Sequence, residues 1–158
     1  FSERIEDNLL FGLETKSDSN TVRQLARIAG IEEEIQELPQ KFESYLGERG
    51  INLSGGQKQR LTIARALAIS PSIIILDDCL SAVDARVEDT IMKNILINFP
   101  GSTLIVVTHR LPAISGFDMI VVMKEGMIVE RGTHKQLIAA NGLYTSLYTK
   151  EVLEERLG

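Results

Sequence analysis

The sequence is poor in the features that mark secreted, membrane-spanning or nucleic-acid-binding chains. A single cysteine, Cys79, cannot form an internal disulfide bond, so a disulfide-stabilised fold is excluded. The apolar runs, such as residues 119–123, are far shorter than the ~20 residues that a membrane helix requires. The 22 acidic residues exceed the 17 basic ones, and the formal charge of −5 argues against a basic face for nucleic acid. With 44% hydrophobic residues in 158, the composition predicts one globular domain in the cytosol.

Two short apolar runs separated by an amphipathic segment predict a parallel sheet. The runs are Ile73–Asp77 and Thr103–Val107. Between them, apolar residues recur every four positions from Val87 to Phe99, as on one face of a helix. Unbroken apolar runs of this length are typical of strands that are buried on both faces. The order of strand, helix and strand predicts a right-handed βαβ unit and therefore an α/β fold.

Helical periodicity and a hairpin pattern occupy the rest of the chain. Helices are expected in four segments, which are residues 21–31, 54–68, 134–140 and 143–153. Gly30 is the expected stop of the first of these helices. Residues 118–123 and 127–130 flank a Lys-Glu-Gly turn and predict a β-hairpin.

A glycine pair stands where a polar loop meets the helix expected from residue 54. Gly55 and Gly56 let the backbone approach a ligand closely, and the first N–H groups of a helix have no intrahelical partner. The helix dipole adds about half a positive charge at this end, which favours an anion such as phosphate. Ser54 could add a hydroxyl donor and Gln57 an amide. The alternative is an ordinary glycine-containing helix start.

Polar side chains follow both predicted strands. Asp77 and Asp78 end the first strand, and His109 follows the second. Because α/β sheets bind ligands at the carboxyl ends of their strands, these residues are candidates for a site. One carboxylate can hold Mg²⁺, usually through water, and the other can orient an attacking water. The alternatives are a turn or helix cap for Asp78, a structural role for His109, and simple packing for Cys79.

Three further groups are expected to serve packing or solvation. The acidic run at residues 32–34 is interpreted as a solvated face. His134 is expected to be an exposed polar residue at a helix start. Tyr144 and Tyr148, one helical turn apart, are interpreted as packing residues.

In their order and spacing, these motifs resemble the ATP-binding domain of an ABC transporter. Leu53–Gln57 matches the family signature, and Ile73–Asp77 matches its Walker B strand. Ser81–Asp84 resembles the D-loop, and His109 resembles the switch histidine. Gly47–Gly50 resembles the X-loop of exporters. The resemblance covers essentially the whole chain.

The resemblance implies part of a P-loop NTPase-like α/β domain, with an all-helical subdomain at the N-terminal side. Residues 1–70 would hold the helical subdomain, the X-loop and the signature helix, and residues 71–158 the C-terminal part of the ATPase core. The implied cofactors are ATP and Mg²⁺. The implied partners are a second nucleotide-binding domain and the transmembrane domains of an exporter, with no nucleic acid. The site would lie at the cytoplasmic face of the cell membrane.

The resemblance also implies a role for each site residue, because two such domains close head to tail over two ATP molecules. The residues that would grip the partner's nucleotide are Ser54, Gly55, Gly56 and Gln57. The D-loop residues singled out are Ser81 and Asp84. Asp77 would hold Mg²⁺ through water, and Asp78 and His109 would be catalytic at this chain's own nucleotide.

Two departures from the family pattern limit what these residues can do. No G-x-x-x-x-G-K-[ST] loop occurs in the 158 residues, so they lack the usual phosphate cradle and its lysine. The 158 residues alone are therefore expected to be inactive. Hydrolytic members carry glutamate at the position of Asp78, which is one methylene shorter. A displacement of ~1 Å at a catalytic position can cost about a hundredfold in rate. Aspartate at this position resembles the residue of the slow-site subunit in heterodimeric ABC exporters, or of the first domain in some tandem ones.

Two other function classes stay open from the sequence. A soluble ABC ATPase of DNA repair or translation is disfavoured by the charge of −5 and by the exporter-like Gly47–Gly50 loop. A non-catalytic interaction module is supported by the missing phosphate cradle, for these 158 residues only.

Overall fold

The computed structural model describes residues 3–13, 18–47 and 50–157, and the side chains through residue 154. The packing divides the chain into two compact units, Phe1–Val107 and Thr108–Gly158. Glu48 and Arg49, which belong to the expected X-loop, lie outside the described residues. In the part of the chain that the structure describes, no helix is long and apolar enough to cross a membrane.

The first unit combines four helices in its N-terminal part with one βαβ unit. Its elements are α1 (Ile5–Leu9), α2 (Ser19–Ile28), α3 (Glu32–Glu37), a 3₁₀ turn (Lys41–Glu43), α4 (Gly55–Ala68), β1 (Ile73–Asp77), α5 (Ala85–Asn98) and β2 (Thr103–Val107). Helix α4 packs on both α1 and α2, and α2 also packs on α5. The mixed α/β architecture confirms the expected fold class.

The caps of α2 explain where this helix starts and stops. The Asp18 side chain accepts a hydrogen bond from the backbone N–H of Thr21 at 2.9 Å, so the helix begins at Ser19, two residues before the predicted start. Gly30 adopts a left-handed conformation with φ +66°, which glycine reaches without steric cost. The helix therefore ends at Ile28, and Gly30 is its stop as predicted.

Strands β1 and β2 pair in parallel, in register from Ile73 opposite Thr103 to Asp77 opposite Val107. This pairing confirms the predicted βαβ unit. The expectation that both faces of β1 are buried is wrong for the described residues. Ile74 is buried, whereas the side chain of Ile75 is 64% exposed. Alternate side chains of a strand point to opposite faces, so one apolar face of this two-stranded sheet stays uncovered within the first unit.

The second unit consists of a β-hairpin and two helices. Its elements are a 3₁₀ turn (Pro112–Ile114), β3 (Ile120–Lys124), β4 (Met127–Gly132), α6 (His134–Ala140) and α7 (Leu143–Leu157). Glu125 and Gly126 join the two strands with positive φ angles of 52° and 78°, as a tight hairpin turn requires. The small core contains Ile120, Leu137 and Tyr144. The hairpin and both closing helices are confirmed, and the last helix extends four residues past its expected end.

A carboxylate from β4 caps the start of α7. The Glu130 side chain accepts hydrogen bonds from the backbone N–H groups of Leu143 and Tyr144, the latter at 3.0 Å. A Cβ atom at Gly142 would collide with this carboxylate, so the Glu130 side chain would have to shift if another residue stood there. The arrangement satisfies two N–H groups that a helix start otherwise leaves unpaired.

The expectation that His134 is exposed is wrong. His134 is half-buried, and its Nδ1 forms a hydrogen bond of 2.8 Å with the Tyr144 hydroxyl. Its ring also lies edge-on to Tyr148, with 4.8 Å between the ring centroids. Tyr144 is fully buried and stacks on Tyr148, which confirms the packing role of both tyrosines.

The acidic run at residues 32–34 is also more than a solvated face. Glu32 forms an ion pair with Arg27, and Glu34 forms one with Arg60 of α4. The Arg60 side chain is only 11% exposed. The Glu34–Arg60 pair therefore joins α3 to α4 from a partly buried position, because a buried guanidinium requires an opposite charge.

Candidate functional site

The signature loop begins α4 with a reciprocal pair of side-chain hydrogen bonds. Ser54 Oγ accepts from the backbone N–H of Gln57 at 3.2 Å, and Gln57 Oε1 accepts from the backbone N–H of Ser54 at 2.9 Å. This capping box explains why the helix starts at Gly55. The two bonds use acceptor atoms of both side chains. The hydroxyl proton of Ser54 and the Nε2 group of Gln57 then remain as donors for an anion at the helix start.

The two signature glycines differ in the space that the fold leaves for a side chain. A Cβ atom at Gly55 would meet only the Ala82 Cβ, at 3.9 Å, which is ordinary contact. A Cβ atom at Gly56 would lie 2.7 Å from the backbone oxygen of Ala82, closer than packing allows. Folding of the described chain therefore requires glycine at position 56 and not at position 55. The bare backbone of Gly55 is exposed and open to a ligand.

The D-loop, residues 81–84, lies against the first turns of α4. Ser81 Oγ donates a hydrogen bond to the backbone oxygen of Asp78 at 3.0 Å. Asp84 ends the loop as the N-cap of α5, where its carboxylate accepts from the backbone N–H of Arg86 at 2.8 Å. The structure thus brings the predicted signature and D-loop residues together within the first unit.

Gln59 is a contact residue of this site that the sequence reasoning missed. Its Nε2 donates to Ser81 Oγ at 3.4 Å, and its Oε1 accepts from the backbone N–H of Ala82 at 3.2 Å. The partners are 22 and 23 positions away in the chain. No local pattern carries a contact of that separation, so no spacing rule could have found it.

Asp77 and Asp78 lie exposed at the carboxyl end of β1. Asp78 adopts a left-handed conformation with φ +45°, which aspartate and asparagine tolerate better than most other residues. Its backbone N–H donates to the carbonyl oxygen of Val107 at 2.9 Å, so the ends of β1 and β2 are tied together. Burial raises the pKa of the neighbouring Cys79 thiol, which favours the packing role of this cysteine over thiolate chemistry.

The residues at the end of β1 suit a Mg²⁺ ion that substrate phosphates also coordinate. Among the described residues, no group of three or more His, Cys, Asp or Glu side chains could hold a metal ion. Mg²⁺ keeps several waters and takes one or two carboxylates together with substrate phosphates. Asp77, with its exposed carboxylate at the strand end, fits this donor set.

The remaining predicted site residues are His109 and the expected X-loop, Gly47–Gly50. His109 is exposed and lies in the second unit, two residues after β2, whereas both aspartates belong to the first unit. Its catalytic role stays a prediction. In the expected X-loop, the backbone N–H of Gly50 donates to the oxygen of Gly47 at 2.9 Å.

A parallel βαβ unit, a glycine-bearing helix start and carboxylates at a strand end define an α/β domain of the nucleotide-binding kind. Residues 3–81 match the family described as ABC transporter, which is half of the chain. The chain belongs to the ABC transporter family, as the sequence motifs predicted.

Several relatives carry names of multidrug resistance or multidrug export proteins. The probable multidrug resistance ABC transporter ATP-binding/permease protein YheI of Bacillus subtilis is 46% identical over 153 residues, covering 97% of this chain and 26% of that protein. ATP-binding cassette sub-family B member 5 of Mus musculus is 46% identical over 147 residues, covering 93% of this chain and 12% of that protein.

A solved structure shows the same fold. The structure of a bacterial Atm1-family ABC exporter with ATP bound matches this chain with a TM-score of 0.85 and 35% identity, over 96% of this chain and 26% of that one. The chain therefore has the fold of part of an exporter's ATPase domain. It spans about a quarter of the length of the Bacillus protein and of this exporter chain.

Proposed function

We propose that these residues form the signature-bearing and C-terminal part of a nucleotide-binding domain that drives an ABC exporter. The domain couples binding and hydrolysis of ATP, with Mg²⁺, to efflux of a substrate at the cytoplasmic face of the cell membrane. Its partners are a second nucleotide-binding domain and the exporter's transmembrane domains, and no nucleic acid. Residues 1–70 act as the helical subdomain and signature, and residues 71–158 as the C-terminal part of the ATPase core.

The observation that carries this proposal is the set of hydrogen-bond donors at the start of α4. The capping box uses acceptor atoms of Ser54 and Gln57, and Gly55 exposes bare backbone beside them. The helix dipole and the unpaired N–H groups of the first turn add to the positive potential. Such a surface suits the γ-phosphate of an ATP molecule that the partner domain holds. The D-loop packs beside it and faces the same nucleotide.

The carboxyl end of β1 serves this chain's own nucleotide. Asp77 would hold Mg²⁺ through water, and the ion would supply positive charge to neutralise the phosphates of the nucleotide. Asp78 orients the attacking water, and His109 contacts the γ-phosphate. With the shorter Asp78, this site turns over slowly, and the partner's site, completed by Ser54–Gln57, carries most of the hydrolysis.

The alternative of a soluble ATPase in DNA repair or translation gains no support from the relatives. The Bacillus protein is named an ATP-binding/permease protein, and the solved neighbour is an exporter.

The test is steady-state ATP hydrolysis by the full-length protein and its partner in proteoliposomes, comparing the parent with Gly55→Asp. A carboxylate at position 55 repels a phosphate, so we expect hydrolysis to fall by at least about a hundredfold. Photolabelling with an ATP analogue should show that nucleotide still binds this chain's own site. Gly55→Ala is the matched control for added bulk without charge. Full activity of Gly55→Asp would contradict the phosphate-clamp role.

A further inference from the structure

Gln59 connects the signature helix to the D-loop through both ends of its amide. Nε2 donates to Ser81 Oγ at 3.4 Å, and Oε1 accepts from the Ala82 N–H at 3.2 Å. Ser81 Oγ passes the connection on, since it donates to the backbone oxygen of Asp78 at 3.0 Å. One side chain of α4 therefore reaches the D-loop directly and the end of β1 through a single hydroxyl.

A steric contact fixes the same two elements. The backbone oxygen of Ala82 lies 2.7 Å from the position that a Cβ atom at residue 56 would take. It fits there only because residue 56 is glycine. Ala82 is thus held on one side by the Gln59 amide and on the other by the backbone of the first turn of α4. The D-loop cannot shift relative to the signature without breaking one of these contacts.

A fixed position of the D-loop relative to the signature matters because, in the proposed function, both act on one nucleotide. Ser54–Gln57 would grip the partner's γ-phosphate while the D-loop lies against the same site. A misplacement of ~1 Å in such a constellation can cost about a hundredfold in rate. Exposed hydrogen bonds of 3.2–3.4 Å are individually weak, so a side chain that supplies two of them gains geometric value beyond either bond alone.

We propose that Gln59 is a positioning residue that holds the D-loop in register with the signature, so that both reach the partner's nucleotide in one fixed geometry. The proposal rests on the proposed function for its catalytic consequence. The connection itself does not depend on that function, and the two parts are tested separately.

The first measurement is hydrogen exchange of the Ala82 amide in the full-length protein without nucleotide. Gln59→Leu keeps the bulk of the side chain and removes both hydrogen bonds, so exchange at Ala82 should accelerate by about tenfold. Gln59→Glu keeps an acceptor for the Ala82 N–H and should retain most of the protection. The exposed Gln40→Leu is the matched control, with the same chemical change away from the site. Unchanged exchange in Gln59→Leu would overturn the connection.

The second measurement is ATP hydrolysis by the same variants with their partner. We expect Gln59→Leu to lower kcat by about tenfold with KM changed less than about twofold, because nucleotide binding is left intact. Gln59→Glu should recover part of kcat, and Gln40→Leu should match the parent. The loss in Gln59→Leu combined with Ser81→Ala should be smaller than the product of the two single losses, since both act through one contact.

The outcomes separate the two claims. Accelerated exchange with unchanged kcat would show that Gln59 is only structural and would overturn the positioning role. A fall in thermal stability that matches the loss of kcat, without rescue by Gln59→Glu, would do the same. A parent protein with no ATP hydrolysis would contradict the proposed function, while the exchange result would still decide whether Gln59 holds the D-loop.

Discussion

At the scale of single residues, Gly55 and Gly56 are equivalent in the sequence pattern, but the fold leaves room for a side chain only at Gly55. A Cβ atom finds ordinary contact distance at Gly55, and a backbone oxygen blocks it at Gly56. Gly55 is therefore left free for the ligand, and Gly56 is fixed by the fold. The sequence predicted that both glycines admit a ligand. The two roles differ only because of where the fold places Ala82, and the sequence pattern does not give that position.

This difference predicts opposite results for two small substitutions. Gly56→Ala should destabilise the domain by about 1–3 kcal/mol, because the Ala82 backbone must move away from the new methyl group. For a domain of this size, that corresponds to a fall of about 2–4 °C in melting temperature for each kcal/mol. Gly55→Ala should change stability by less than about 0.5 kcal/mol. Thermal unfolding of the two variants checks the prediction, and equal melting temperatures would contradict it.

Asp78 offers a test of the slow-site interpretation that leaves the backbone undisturbed. Asparagine tolerates the left-handed conformation of this residue, φ +45°, about as well as aspartate does. Asp78→Asn should therefore remove the charge without moving β1, and it should leave most of the ATP hydrolysis of the assembled protein. The control is the change to glutamine of the partner's residue at the same position, for which we expect loss of activity. Complete loss of turnover in Asp78→Asn would show that this aspartate is the main catalytic base.

At the scale of elements, the sequence predicted the segments whose signals are local. Helix α4 starts at a capping box, and the β3–β4 turn contains Gly126, so caps and turn residues fixed these boundaries. Helix α1 has only five residues and was not predicted. It is held by distant contacts, including a hydrogen bond from the Ile5 N–H to the Ser44 oxygen. Helices this short are not stable by propensity alone, so no periodicity announces them.

The site shows the same division between local and distant signals. Sequence motifs found the Ser54–Gln57 turn and both aspartates of β1, each of which is a contiguous pattern. They did not find Gln59 or the Glu34–Arg60 ion pair, whose partners lie 22 or more positions apart. The uncovered face of β1 was missed for another reason. Apolar composition shows that a surface should be buried, and it does not show which residues cover it.

The cap of α7 gives a prediction at this scale. Glu130→Ala removes the carboxylate that binds the N–H groups of Leu143 and Tyr144, so the helix start should lose its anchor. Hydrogen bonds to a charged group contribute about 1.5–3 kcal/mol, and we expect exchange of these two amides to accelerate at least tenfold. Glu154→Ala, which removes an exposed carboxylate from the same helix, is the control. Similar exchange rates in both variants would mean that Glu130 does not hold the helix start.

At the scale of the whole molecule, the 158 residues carry the signature but no phosphate-binding loop for their own nucleotide. Titration calorimetry of this 158-residue chain with Mg-ATP should therefore show no binding in the low-micromolar range. The full-length protein, measured in the same way, is the positive control. Low-micromolar binding by the 158 residues alone would mean that Asp77 and its neighbours form a nucleotide site without the loop.

The same chain should also be prone to self-association. The uncovered face of the β1–β2 sheet carries exposed apolar side chains, namely Ile73, Ile75, Ile105 and Val107. Exposed apolar surface on a short sheet favours aggregation, which the formal charge of −5 opposes only by electrostatic repulsion. The titration with Mg-ATP should therefore be carried out at low protein concentration.

The stacked pair of Tyr144 and Tyr148 makes the two units optically distinguishable. The chain has no tryptophan, so its three tyrosines dominate the near-ultraviolet signal over the five weakly absorbing phenylalanines. The third, Tyr45, is exposed in the first unit, and an exposed ring gives little circular dichroism, whereas the buried pair belongs to the second unit. Cys79 is the single thiol and lies in the first unit, where a fluorophore can be attached. In one labelled sample, dichroism of the tyrosine pair can therefore follow the unfolding of the second unit, and fluorescence of the label can follow that of the first unit.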